Sequence, residues 1–160
     1  PISVILVPLQ QANPFVTHLP VYSLAAAAGR FGQGQDVTEE GWVLVNGRRL
    51  DEKMFVARVV GRSMEPKIPD GSYCVFRAKP EGTRQGKIVL VQHRGIEDPE
   101  TGGQFTVKRY TSDKSSNPDG TWRHTKITLE PLNPAYQPIR IDPSDAESVT
   151  VVAEFLEGLA

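Results

Sequence analysis

The sequence predicts a mainly β domain, built as a coiled antiparallel sheet or a partly open barrel. Three observations lead there. Six short runs, 55–60, 73–77, 88–93, 105–110, 123–129 and 149–155, are rich in β-branched and aromatic residues. Turn chemistry separates them: Pro69-Asp70-Gly71, Pro80-Glu81-Gly82, Thr101-Gly102-Gly103 and Asn117-Pro118-Asp119-Gly120. The first forty or so residues carry no clean amphipathic helix. Strands at this spacing favour an antiparallel arrangement.

Taken in order, residues 2–7 predict a short strand, and Asn13-Pro14 and Leu19-Pro20 interrupt the chain after it. Residues 22–28 run to Gly29, and Gly32, Gln33, Gly34 and Gln35 make a flexible stretch. The six runs come next. Pro118 suits the second position of a turn that closes a hairpin onto 123–129. Within 105–110, Phe105, Val107 and Arg109 face one way and Thr106, Lys108 and Tyr110 the other.

Composition narrows the function. The 160 residues suit one domain with at most a tail, and the 39% hydrophobic and 23% charged content is that of a soluble globular protein. A net charge of −1 with scattered basic residues gives no footprint for nucleic acid or an anionic membrane. The single Cys74 excludes an internal disulfide framework and fits a reducing compartment; in its apolar run it reads as a small core residue. No apolar stretch is long enough to span a membrane, and residues 2–9 are too short, and too interrupted by Pro8, for a signal peptide. The chain begins at Pro1 rather than Met, which suggests a processed product or a piece of something longer.

Two residues propose a reaction. Ser63 lies on a Gly- and Pro-bounded turn, Gly61-Arg62-Ser63-Met64-Glu65-Pro66, and Lys108 lies inside a strand-like run. A serine hydroxyl is a weak nucleophile until a neighbouring base takes its proton. A lysine can be that base only when neutral, so it must be desolvated enough to lower its pKa. Each residue alone has a plain alternative: a mid-strand lysine is ordinarily a solvated outer-face residue, and Gly-x-Ser before proline is often only a connection.

The surrounding residues add a resemblance. Val60-Gly61-Arg62-Ser63-Met64 with Ile68-Pro69-Asp70-Gly71-Ser72 resembles the nucleophile box of the LexA-like and UmuD-like self-cleaving peptidases, relatives of signal peptidase. Gly86-Lys87-Ile88-Val89-Leu90 resembles the following strand, and Phe105-Thr106-Val107-Lys108-Arg109 the general-base strand. The 129–139 segment, Leu129 through Pro131-Leu132-Asn133-Pro134 to Ile139, resembles the stretch after it. The pieces stand in the family's order over roughly 19–157. The resemblance implies Ser63 as nucleophile and Lys108 as general base. It also implies an oxyanion site of backbone amides at or beside Ser63, with Gly61 shaping the turn and Met64 supporting it. One departure is the insertion Ile96 to Gln104 with Glu97, Asp98 and Glu100, expected as a solvated loop tip. The alternative, a carboxylate that reaches back to hold Lys108 charged and silence it, is not what a hairpin end favours. His18, His93 and His124 are scattered, so no metal site and no cofactor is expected.

The resemblance further implies self-cleavage, in this family at an Ala-Gly or Cys-Gly bond upstream of the nucleophile. Ala28-Gly29 is the candidate, behind the lead-in Leu19-Pro20-Val21-Tyr22. Its alternative is an alanine-rich helix ended by a glycine cap. The organisation implied is an N-terminal arm over 1–40 carrying the cleavage loop and a LexA-like peptidase domain over 41–160. The function implied is a switch in an SOS-type DNA-damage response, or inactivation of a transcriptional repressor, in a bacterial or phage cytoplasm. Alternatives are a UmuD-like subunit of a translesion polymerase, a signal-peptidase-like enzyme acting in trans, and a non-catalytic interaction module. Implied partners are a second copy of the chain, with 149–155 as a candidate unpaired edge strand, and a RecA-type co-protease. DNA would be reached only through an attached domain, and no membrane is expected.

Overall fold

The computed structural model describes every residue except 1–3, 117, 121, 143–148 and 160. Its strands are β1 (His18–Ser23), β2 (Gly41–Leu44), β3 (Met54–Val59), β4 (Ser72–Ala78), β5 (Ile88–Gln92), β6 (Phe105–Ser116), β7 (Trp122–Glu130), β8 (Ile139–Ile141) and β9 (Thr150–Gly158). They form one open sheet in the order β2-β1-β3-β4-β9-β5-β6-β7-β8. Neighbours run antiparallel except β1 and β3, which are parallel. Mainly β and unclosed, this is the predicted fold class.

The central strands are apolar on both faces because both are covered. Along β3, Phe55, Ala57 and Val59 enter one core with Cys74, Phe76, Leu90 and Val107. Met54 and Val56 enter another with Leu19, Val21 and Val75. Phe55 and Phe76 are fully buried, each worth about 1.5–3 kcal/mol by transfer from water. Register shifts in β4, β5 and β6 add local twist, which helps the sheet coil.

Several expectations need correction. β9 is interior, hydrogen-bonded to β4 on one side and β5 on the other. Residues 149–155 therefore offer no free edge for a second copy; the sheet's outer strands are β2 and β8. Among the described residues of the 1–40 span, 4–40, the chain does not stand apart as an arm: β1 lies between β2 and β3, and Leu19, Val21 and Ala27 are fully buried. Of the strand expected over 2–7, residues 2–3 lie outside the described residues, and only Val7 pairs, exchanging backbone hydrogen bonds with Trp42. Asn117 of the expected 117–120 turn also lies outside the described residues. Among the described residues, no helix is long and apolar enough to cross a membrane.

Candidate active site

Ser63 sits in the connection between β3 and β4, and its turn is tied from several directions. Gly61 takes φ +98, a left-handed conformation that glycine adopts without a side-chain penalty. Its amide donates to Asp70 Oδ1 at 2.7 Å, and the Gly71 amide donates to the Val59 carbonyl at 2.7 Å, closing the loop at its base. Met64 and Ile68 point into the core and anchor the turn from below. The Ser63 carbonyl accepts from the amides of Leu132 (3.0 Å) and Asn133 (2.9 Å), while Asn133 Nδ2 donates to the Arg62 carbonyl at 3.1 Å. The Pro131-Leu132-Asn133 stretch is thus a brace for the serine turn.

Lys108 comes from β6, opposite Val89 of β5. It is only 4% exposed, so it is not the solvated outer-face residue that a lone mid-strand lysine suggests, and Ser63 is only 7% exposed. Gly61, Ser63, Thr106 and Lys108, with Asp98 and Thr101, wall one cavity of about 10 Å³. Lys108 Nζ donates to Thr106 Oγ1 at 2.7 Å, and Thr106 donates onward to Asp98 Oδ2 at 2.6 Å. The Asp98 carboxylate lies 3.6 Å from the amine. The serine hydroxyl stands outside this chain of bonds. Burial pushes the Lys108 pKa down; the Asp98 and Glu100 carboxylates pull it back up, and burial prevails. A buried amine biased toward neutrality, sharing a cavity with a hydroxyl, can act as a general base.

The insertion at 96–104 is not a solvated tip. Ile96 is fully buried against Val89, Val91 and Ile127, which fastens the loop at its root. Asp98 accepts from the Glu100 amide at 2.9 Å, Gly102 donates to the Asp98 carbonyl at 2.8 Å, and the loop turns back over the serine. Glu100 Oε2 accepts from the Arg62 amide at 2.8 Å and from the Tyr136 hydroxyl at 3.1 Å. The amides of Ser63 and Met64 have no acceptor among the described residues. They are unclaimed donors at the point where an oxyanion would need them.

Ala28 and Gly29 are buried and helical. Ser23 Oγ caps the first turn at the Ala26 amide (3.1 Å), an α-helical turn spans Leu24–Ala27, and wider π geometry continues over Ala28–Gly32. The helical alternative therefore describes this bond, with the helix running past Gly29. Ala27 shares a core with Met64 and Val107, so the segment lies on the same side of the sheet as the serine turn's anchor. Phe31 stacks on Phe55 with centroids 4.3 Å apart and meets Tyr22 edge-on. For this bond to meet a nucleophile, the helix must unwind.

Two residues at the site, Thr106 and Tyr136, were given no role from the sequence, and the reach of a loop carboxylate to Lys108 was set aside in favour of a solvated tip. Thr106 was accessible by alternation, two positions before Lys108 on the same strand face. The carboxylates were visible but read as solvated; the missed signal was Ile96, an apolar residue that has to be buried and pulls the loop down with it. Burial lifts the Cys74 thiol to about 12, so it is no competing nucleophile. Among the described residues, no group of three or more His, Cys, Asp or Glu is arranged to hold a metal ion.

Comparison with curated proteins returned no match. The family model described as Peptidase S24-like matches residues 20–156, a span that takes in β1, the Ser63 turn, β6 with Lys108, and the brace at 131–133. A match over most of the chain, on an open β fold with these pieces in place, makes this protein a member of the Peptidase S24-like family, serine peptidases in kind.

Proposed function

We propose that the chain is a self-cleaving serine endopeptidase in which Ser63 is the nucleophile, Lys108 the general base, and Ala28–Gly29 the bond cut. The observation that carries the reading is the shared cavity. A buried hydroxyl and a buried amine with lowered proton affinity wall the same small space. Once the helical segment unwinds and enters, the neutral amine takes the Ser63 proton and Oγ attacks the Ala28 carbonyl carbon. The developing oxyanion is met by the unclaimed amides at Ser63 and Met64. Collapse breaks the bond to the Gly29 nitrogen, which leaves with the proton from Lys108. Water then hydrolyses the Ala28 ester of Ser63, Lys108 again taking the proton, and an Ala28 carboxylate is released.

The cut serves as a regulatory switch of the SOS, DNA-damage type, inactivating an attached transcriptional repressor or releasing a UmuD-like polymerase subunit. A RecA-type filament would favour the unwound, engaged segment, and a second copy of the chain is the expected dimer partner. A second reading, a silent interaction module, is favoured by the pairing of Asp98 with Lys108. The two separate on one experiment. At mildly alkaline pH, with and without a RecA filament on single-stranded DNA, the intact chain should lose a fragment. Ser63→Ala should abolish the reaction, and Lys108→Ala should slow it by about 10²–10⁴-fold, the usual worth of a general base. A wild-type chain that persists in both conditions supports the silent module.

A further inference from the structure

The loop between β5 and β6 places one carboxylate on the amine that the proposed chemistry needs and another on the backbone next to the nucleophile. Asp98 faces the Lys108 amine, and Glu100 occupies the amide of Arg62, directly before Ser63. We propose that residues 96–104 form an intramolecular plug, which fills the site in the resting chain and must lift before any peptide bond reaches Ser63. The inference rests on the reading of Ser63 and Lys108 as a catalytic pair.

Space is the first support. The cavity of about 10 Å³ is at the lower limit for one water molecule, so a peptide strand has no room beside Asp98 and Thr101. Chemistry is the second. An anionic oxygen is held by the Arg62 amide, one residue before the nucleophile, and by the Tyr136 hydroxyl, so negative charge already lies beside the free Ser63 and Met64 amides where an oxyanion would form. Glu100 therefore opposes a second negative charge there.

Construction is the third. Asp98 uses one oxygen to fold its own loop at the Glu100 amide and the other to accept from Thr106. Thr101 Oγ1 donates to the Phe105 carbonyl at 3.0 Å, and Ile96 roots the loop in the core. Gly61 fits the plug as well as the turn: a Cβ there would come within 2.7 Å of the Glu100 carboxyl carbon. The grip is uneven, which makes it releasable. Asp98 is buried, but Glu100 is half-buried and Pro99 and Gly102 are exposed, with Gly102 at φ +72. A resting chain then needs two events before cutting, the plug lifting and the 24–32 segment unwinding, and each lowers the competent fraction.

The test compares wild type with Glu100→Gln, Asp98→Asn and the double variant in two assays. One measures acetylation of Lys108 by acetic anhydride, resolved by peptide mass against the exposed Lys53 as reference; the other measures self-cleavage. Labelling is read at alkaline pH where each protein's labelling rate has levelled, so that a change in the charge on the amine does not itself alter the rate. Loss of a charge-assisted hydrogen bond should raise Lys108 labelling about fivefold in Glu100→Gln, and further in the double variant. Cleavage should accelerate in the same order. Labelling that stays at the wild-type level in variants that melt cooperatively overturns the plug. If the double variant does not fold, Glu100→Gln, at a half-buried position, decides alone. Labelling that rises while no chain is cut keeps the plug and removes the catalytic reading. Cutting that depends on Ser63 but ignores both substitutions keeps the catalytic reading and removes the plug.

Discussion

The Lys108 amine and the Asp98 carboxylate lie 3.6 Å apart with Thr106 bonded to both, and all three side chains are almost wholly buried. A desolvated lysine gives up its proton more readily, and a desolvated carboxylate beside it resists that loss. The structure holds the two effects in opposition, with burial the stronger on Lys108. Proton affinity at this amine is therefore adjustable by whatever moves the loop.

Self-cleavage should accelerate as pH rises. The base is competent only when neutral, and its pKa lies below the ordinary lysine value of 10.5. Below that lowered pKa the neutral fraction grows tenfold per pH unit, so the logarithm of the rate should climb with a slope of about one and then level. Rates across pH 6–10, about the usable range for such a lysine, check this; a flat or falling profile contradicts it.

Thr106→Val keeps shape and removes the hydroxyl. It leaves the Lys108 amine and the Asp98 carboxylate each short of a buried hydrogen-bond partner. The expected loss of stability is about 1–3 kcal/mol, read from urea unfolding. Thr106→Ser, which restores the hydroxyl, should recover most of it.

Phe31→Ala should speed self-cleavage. Its ring stacks on Phe55 and holds the 24–32 segment in its helical form. Such a pair is worth about 0.5–1.5 kcal/mol beyond its area, so the unwound fraction, and the rate with it, should rise roughly two- to tenfold. Time courses on denaturing gels measure it.

Cutting after Ala28 should not release the amino-terminal piece. β1 would remain hydrogen-bonded between β2 and β3, with Leu19 and Val21 fully buried. Size exclusion in native buffer should show both fragments in one peak, separating only in denaturant. Release in native buffer would place β1 outside the stable core.

Much of this architecture was legible because β-branched and aromatic runs survive burial on both faces. Six strands and the serine and lysine positions follow from such runs and from turn residues. β1 escaped because Pro20 reads as a breaker. It is tolerated because Pro20 faces only β2, at Trp42, while the pairing with β3 begins at Val21. β2 and β8 are too short for a pattern. The interior position of β9 was hidden for another reason: composition marks a strand as apolar but does not name its neighbours.

At the site, the serine turn and the base strand were readable from local sequence, whereas the plug was not. Glu100 reaches across the fold to Arg62, and Asp98 folds down onto Thr106 of its own hairpin, a contact that depends on how the loop turns. Acidic residues in a Gly- and Pro-containing loop are ordinarily solvated. What reverses that here is one buried neighbour, Ile96, and the donors awaiting the carboxylates.

Fragment masses, followed over time at alkaline pH for the wild-type chain and Ser63→Ala side by side, bear hardest on the proposed dyad. Wild type should yield two species that divide between Ala28 and Gly29, while Ser63→Ala stays whole. An uncut wild-type chain, a break at another bond, or equal cutting of both proteins would remove Ser63 as the nucleophile of this reaction.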